Sequence, residues 1–155
     1  MQAYDPEKAA RIWDRVRQPP QAGLDVQKLP ALINEEWADA ATYLLLARQF
    51  QGKHNLTLRQ MAEQEQTHAA CLKGIYTLVS GKRAPEFTPQ PDSAPLETML
   101  RRCYGREMRS LAAYEARSTD PEYGQVFSRL AAQERDHCRK LLELLGSIQP
   151  TRRNL

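Results

Sequence analysis

Proline placement limits what this chain can fold into more than any other feature. A proline inside a helix removes a backbone hydrogen bond and clashes with the preceding turn, at a cost of about 3 kcal/mol. The ten prolines lie at positions 6, 19, 20, 30, 85, 89, 91, 95, 121 and 150, leaving proline-free intervals at 31–84, 96–120 and 122–149. The first interval is divided by Gln51-Gly52-Lys53-His54-Asn55, a turn-forming cluster, so it reads as two helices joined by a short loop. Four long helices are predicted.

Boundary residues refine that reading. Thr57 with Gln60 resembles a capping box opening the second helix, and Gly81 is placed to end it. Asp92-Ser93 precedes Pro95 before the third; Asp120-Pro121 offers a cap and a first-turn proline for the fourth, and Gly146 a stop. A further short helix is expected from Pro6 to about Arg17, with Ile12, Trp13 and Val16 on one face. Residues 1–30 are read as this accessory helix and a linker, 31–146 as the bundle and 147–155 as a tail.

Apolar residues recur at steps of three and four, the helical period. Ile33, Ala40, Tyr43, Ala47 and Phe50 line the first helix, and Leu58, Met61, Leu72, Ile75 and Val79 the second. Leu96, Leu100, Cys103, Leu111 and Tyr114 line the third, and Phe127, Leu130, Leu141 and Leu145 the fourth. The expected fold is all-α, an antiparallel four-helix bundle. A helix of about 24 residues is roughly 36 Å long, and about 13 extended linker residues reach roughly 43 Å. The segment between Gly81 and Pro95 can therefore run the bundle's length, so a long crossover between helices two and three is expected.

Composition removes several function classes. The longest apolar run, Tyr43 to Ala47, is far short of the roughly 20 residues of a membrane helix. The amino terminus mixes both charge signs where a secretory signal would be apolar, which points to the cytoplasm. A net charge of +3, evenly spread, does not suggest nucleic acid. Cys71, Cys103 and Cys138 form no CxxC pair, so they read as reduced thiols, most of them inert core residues.

Each apolar face skips a step, and the skipped positions are polar. Glu36 falls in register on the first helix, Glu65 and His68 on the second, Glu107 on the third, and Glu134 and His137 on the fourth. Burying four unpaired carboxylates costs several kcal/mol each. No lysine or arginine occupies the matching core positions, whereas two divalent ions would balance four carboxylates and leave two neutral imidazoles. Both Glu65-Gln66-Thr67-His68 and Glu134-Arg135-Asp136-His137 are ExxH, whose first and last side chains share a helix face. The alternative, core acids and imidazoles pairing with one another, requires the same register coincidence on four helices. A shift of about 70 residues carries Glu36, Tyr43, Glu65 and His68 onto Glu107, Tyr114, Glu134 and His137, and Met61-Ala62-Glu63-Gln64-Glu65 onto Leu130-Ala131-Ala132-Gln133-Glu134. Two similar hairpins about an approximate two-fold axis are implied.

With these residues in place, the sequence resembles the ferritin-like di-iron proteins, and the rubrerythrin family in particular, over roughly residues 31–146. The resemblance implies two iron ions, with manganese an acceptable substitute, and activity toward dioxygen or hydrogen peroxide. It implies Glu65 and Glu134 as bridging ligands, Glu36 and Glu107 as terminal or shifting ligands active in catalysis, and one histidine, His68 or His137, on each ion. Tyr43 and Tyr114 become hydrogen-bond partners of the carboxylates, the alternative for both being ordinary core packing. Two departures stand out. Rubrerythrins typically carry a rubredoxin domain with two cysteine pairs, so electrons are expected from a separate rubredoxin-like donor. They also carry a further glutamate three residues after the helix-three ligand, where this chain has Ser110, with Asp39 at the matching place on helix one. A homodimer is the expected assembly. Iron binding or storage without a separate substrate, and a metal-stabilised structural module, stay open as other functions. Against a storage cage, ferritin cages usually carry a fifth helix, for which the nine residues after Gly146 are too few.

Overall fold

The computed structural model describes residues 24–148. A 3-10 turn at Val26–Lys28 leads into helix α1 (Leu29–Ala47), followed by α2 (Gly52–Ser80), α3 (Leu96–Glu115) and α4 (Gly124–Ser147). The molecule is all-α, with no strand among the described residues, and no described helix is long and apolar enough to cross a membrane. The short helix expected at Pro6–Arg17 lies outside the described residues.

Short connections make α1–α2 and α3–α4 two hairpins. Hydrogen bonds between them give their relative direction. Tyr43 reaches Glu107 while Tyr114 reaches Glu36, so α1 and α3 run antiparallel. His137 meets Gln64 while His68 meets Gln133, so α2 and α4 do the same. Helices α2 and α3 consequently run parallel, and residues 82–95 must return along the bundle's length. They do so packed down: Ala84 and Phe87 lie on one apolar cluster, and Ala94 on the other.

Those two clusters are the core. One gathers Ile33, Leu72, Ile75, Leu111, Tyr114 and Phe127; the other Tyr43, Leu58, Met61, Met99, Cys103 and Leu141. Burial of this apolar surface, at about 25 cal/mol per Å², drives assembly. Between the clusters lies a layer of buried polar side chains.

Several helix ends differ from expectation. Helix α2 starts at Gly52, five residues before Thr57, which lies within the helix. Gly52 takes a positive φ of 59°, and Asn55 Nδ2 donates to the Ala47 carbonyl at 2.6 Å, closing the end of α1. Gly81 does end α2, in the left-handed region at φ 68°. Asp120 caps a turn, accepting from the backbone of Glu122 and Tyr123, and α4 begins only at Gly124. Gly146 stays helical, because Ser147 continues α4. Val79, expected in the core, is 44% exposed on the last turn of α2, where helix ends are less covered than mid-height positions.

Candidate metal centre

The helical period that buries the apolar stripes also buries whatever occupies the same stripe at mid-height. Glu36, Glu65, His68, Glu107, Glu134 and His137 are each at most 1% exposed. The structure brings all six together. Glu36, Glu65, His68 and Glu134 offer ligand atoms within 4.8 Å of one another, as do Glu65, Glu107, Glu134 and His137. The two groups share Glu65 and Glu134 and differ in the terminal glutamate and the histidine. Two overlapping groups of this kind would suit two adjacent cations, with Glu65 and Glu134 common to both.

Both imidazoles turn Nδ1 toward the carboxylates. His68 Nδ1 lies 3.0 Å from Glu134, 3.1 Å from Glu65 and 3.4 Å from Glu36. His137 Nδ1 lies 2.6 Å from Glu65, 3.3 Å from Glu134 and 3.6 Å from Glu107. The outer nitrogens face glutamine carboxamide oxygens: His68 Nε2 meets Gln133 Oε1 at 2.6 Å, and His137 Nε2 meets Gln64 Oε1 at 2.7 Å. A carboxamide oxygen only accepts, so Nε2 carries the hydrogen and Nδ1 is left free to ligate.

The tyrosines hold the terminal carboxylates across the bundle. Tyr43 of α1 donates to Glu107 of α3, and Tyr114 of α3 donates to Glu36 of α1. Burial, then the facing carboxylates, hold both phenols well above their ordinary range, so they remain donors.

Charge balance tests whether this donor set suits cations. Among the described residues, the buried side-chain atoms that make no well-aligned hydrogen bond are Glu65 Oε1, both Glu134 carboxylate oxygens and His137 Nδ1, although His137 Nδ1 and Glu65 Oε1 lie 2.6 Å apart. Orphaned groups of that kind cost about 1–3 kcal/mol each. Burial, with Glu36 and Glu107 nearby, raises the Glu65 carboxyl well above its ordinary range. Burial alone would lower the histidines, yet the surrounding carboxylates raise His68 and push His137 to about 12. The layer is short of positive charge. Oxygen and imidazole donors suit iron or manganese, and the residues fit a pair of such ions.

Two features went unrecognised in the sequence. Gln64 and Gln133 precede the two ExxH glutamates, and their place in the repeat was the available signal. Arg106 is the second: a cation does reach the layer's edge, where Nε donates to the buried Asp39 at 2.5 Å. This fifth acid thus brings its own counter-charge, and four carboxylates remain for two divalent ions. Glu35, Glu63 and Glu115 face solvent.

A family model described as Rubrerythrin matches residues 29–144. No curated protein and no solved structure matches the chain. The matched span begins where α1 begins, closes within α4 and contains all six buried ligand-type residues. The chain belongs to the rubrerythrin family.

Proposed function

We propose that this protein is a non-haem di-iron oxidoreductase that reduces hydrogen peroxide or dioxygen with electrons from a separate donor. The observation that carries the reading is the pair of buried four-residue groups sharing Glu65 and Glu134. Glu65 and Glu134 would bridge, Glu36 with His68 would complete one position, and Glu107 with His137 the other. When bound, an iron pair supplies Lewis acidity and two electrons.

The chain's own residues define the rest. Tyr43 and Tyr114 hold Glu107 and Glu36 by hydrogen bonds that must loosen if either carboxylate changes its mode of binding. Gln64 and Gln133 hold the imidazoles in one tautomer. The flanking apolar clusters limit water access, which strengthens the field of every carboxylate in the layer. A rubredoxin-like partner is the proposed donor.

Stopped-flow mixing of the Fe(II)-loaded protein with peroxide, and separately with dioxygen, tests the reading. Oxidation within seconds by one of the two, followed by re-reduction by a rubredoxin-like donor, is expected. Retention of Fe(II) over minutes with both oxidants would reject it.

A further inference from the structure

The last turns of α2 form an apolar end that is uncovered among the described residues. Helix α2 has 29 residues and its hairpin partner α1 has 19. At 1.5 Å per residue α2 is about 15 Å the longer. The two helices meet at the short connection 48–51, so the excess lies at the C-terminal end of α2. Residues 74–80 there carry no charged side chain. Leu78 is 74% exposed, Val79 is 44% exposed, and Thr77 beside them is exposed as well. Val79 prolongs the stripe of Leu72 and Ile75, which is buried lower on the same helix.

The chain enters the described fold at this same end. Leu24 and Val26 pack on the cluster that contains Ile75, and the turn Val26–Lys28 lies against both α1 and α2. Residues 1–23 precede it, including the segment from Pro6 to about Arg17 that the sequence marks as a helix. Ile12, Trp13 and Val16 share one face of that helix, and Glu7, Arg11, Asp14 and Arg15 the other. A helix of about three turns does not hold alone in water and needs an apolar surface to form.

Tether length selects that surface. Residues 18–23 reach roughly 21 Å when fully extended, whereas α1 alone is roughly 28 Å long. Leu44, Leu56 and Leu142 are exposed at the opposite end, beside the cluster of Leu46, Leu58 and Leu141, and lie too far away. Met108 at mid-height offers one exposed side chain, where Leu78 and Val79 offer two. The short tether also keeps the segment at an effective concentration on the order of millimolar, which a second copy does not match in dilute solution.

We propose that residues 6–17 fold as a helix against the end of α2, with Ile12, Trp13 and Val16 over Leu78 and Val79. The partner of this surface is the chain's own amino-terminal segment, and the contact is independent of the chemistry of the metal layer.

Trp13 reports the contact directly. The chain has two tryptophans, so the full-length Trp37→Phe variant leaves Trp13 as the sole emitter. Acrylamide quenching of Trp13 is expected to be at least threefold weaker than for the same chain in urea, and constant over a hundredfold range of protein concentration. Adding Leu78→Asp and Val79→Asp should raise quenching to the level in urea, while Leu142→Asp should leave it weak. Quenching as strong as in urea before those changes overturns the proposal. So does weak quenching that survives Leu78→Asp with Val79→Asp, which would place the segment elsewhere on the bundle. Protection that grows with concentration also overturns it, since the occupant would then be a second copy. A second measurement keeps Trp37 in place: Trp13→Asp in the full chain should speed amide hydrogen exchange of residues 76–80 at least tenfold and leave that of residues 40–46 unchanged. Unchanged exchange at residues 76–80, or equal acceleration of both segments, would equally overturn the contact.

Discussion

Gln64 and Gln133 act on the histidine of the opposite hairpin. Each carboxamide oxygen accepts from an Nε2–H across the α2–α4 seam, and the orientation of Nδ1 depends on that hydrogen bond. Groups placed like this typically govern metal affinity by about 10- to 100-fold. Gln64→Leu should weaken binding at the His137 position by that factor while Gln64→Glu, which still accepts, should retain it; calorimetric titration with Co(II) measures both. Parent affinity in the leucine variant would mean that packing alone orients the ring. The six ligand-type residues were legible because each interrupts an apolar stripe. The glutamines were not, although they sit beside the ligands in both halves. Gln-Glu-x-x-His on one helix says nothing about which neighbouring helix the glutamine will reach. That depends on α2 and α4 running antiparallel at matched height.

Helix existence was written in the proline spacing, and helix ends were not. Thr57 and Gly146 have the residue types of a cap and a stop, yet α2 begins five residues before Thr57 and α4 runs one residue past Gly146. Propensity is a weak prior where burial favours continuation. Gly124 shows a constraint that only the fold creates. The turn after α3 crosses so closely that a Cβ on Gly124 would lie 2.4 Å from the Ser118 carbonyl oxygen, a backbone atom that cannot rotate away. Gly74, within α2, has nothing within 4 Å of such an atom. Gly124→Ala should therefore destabilise by about 1–3 kcal/mol through forced backbone displacement. Gly74→Ala should stabilise by roughly 0.5–1 kcal/mol through helix propensity. Urea denaturation of both variants checks the contrast, and equal stabilities would show that the α3–α4 turn adjusts freely.

Across the whole molecule, two apolar clusters enclose a layer whose protonation must follow its metal content. Without metal, burial and neighbouring acids raise Glu65 well above its ordinary range and Glu107 to about 7, and burial raises Asp39 to about 7. The native state then keeps protons that the unfolded chain has released above about pH 4 to 4.5. Stability contributed by these groups is full below that point and is lost as pH rises through their folded values. His68 and His137, also raised, add the same sign from about pH 6.5 upward. Glu134 is lowered by Glu107 and the histidines despite its burial, and its opposite effect is confined to acid below about pH 4.5. The metal-free protein should thus lose thermal stability steadily between pH 5 and 8. A bound cation replaces those protons, so affinity strengthens as pH rises over the same range. At a free concentration a thousandfold above Kd, each ion adds about 4 kcal/mol. Calorimetric melting in chelator and in excess Co(II) should therefore give curves that diverge from pH 5 to pH 8, with the metal-loaded form increasingly the more stable. Parallel curves would mean that metal binding displaces no protons from the layer, and would remove the charge argument on which its assignment as a metal centre rests.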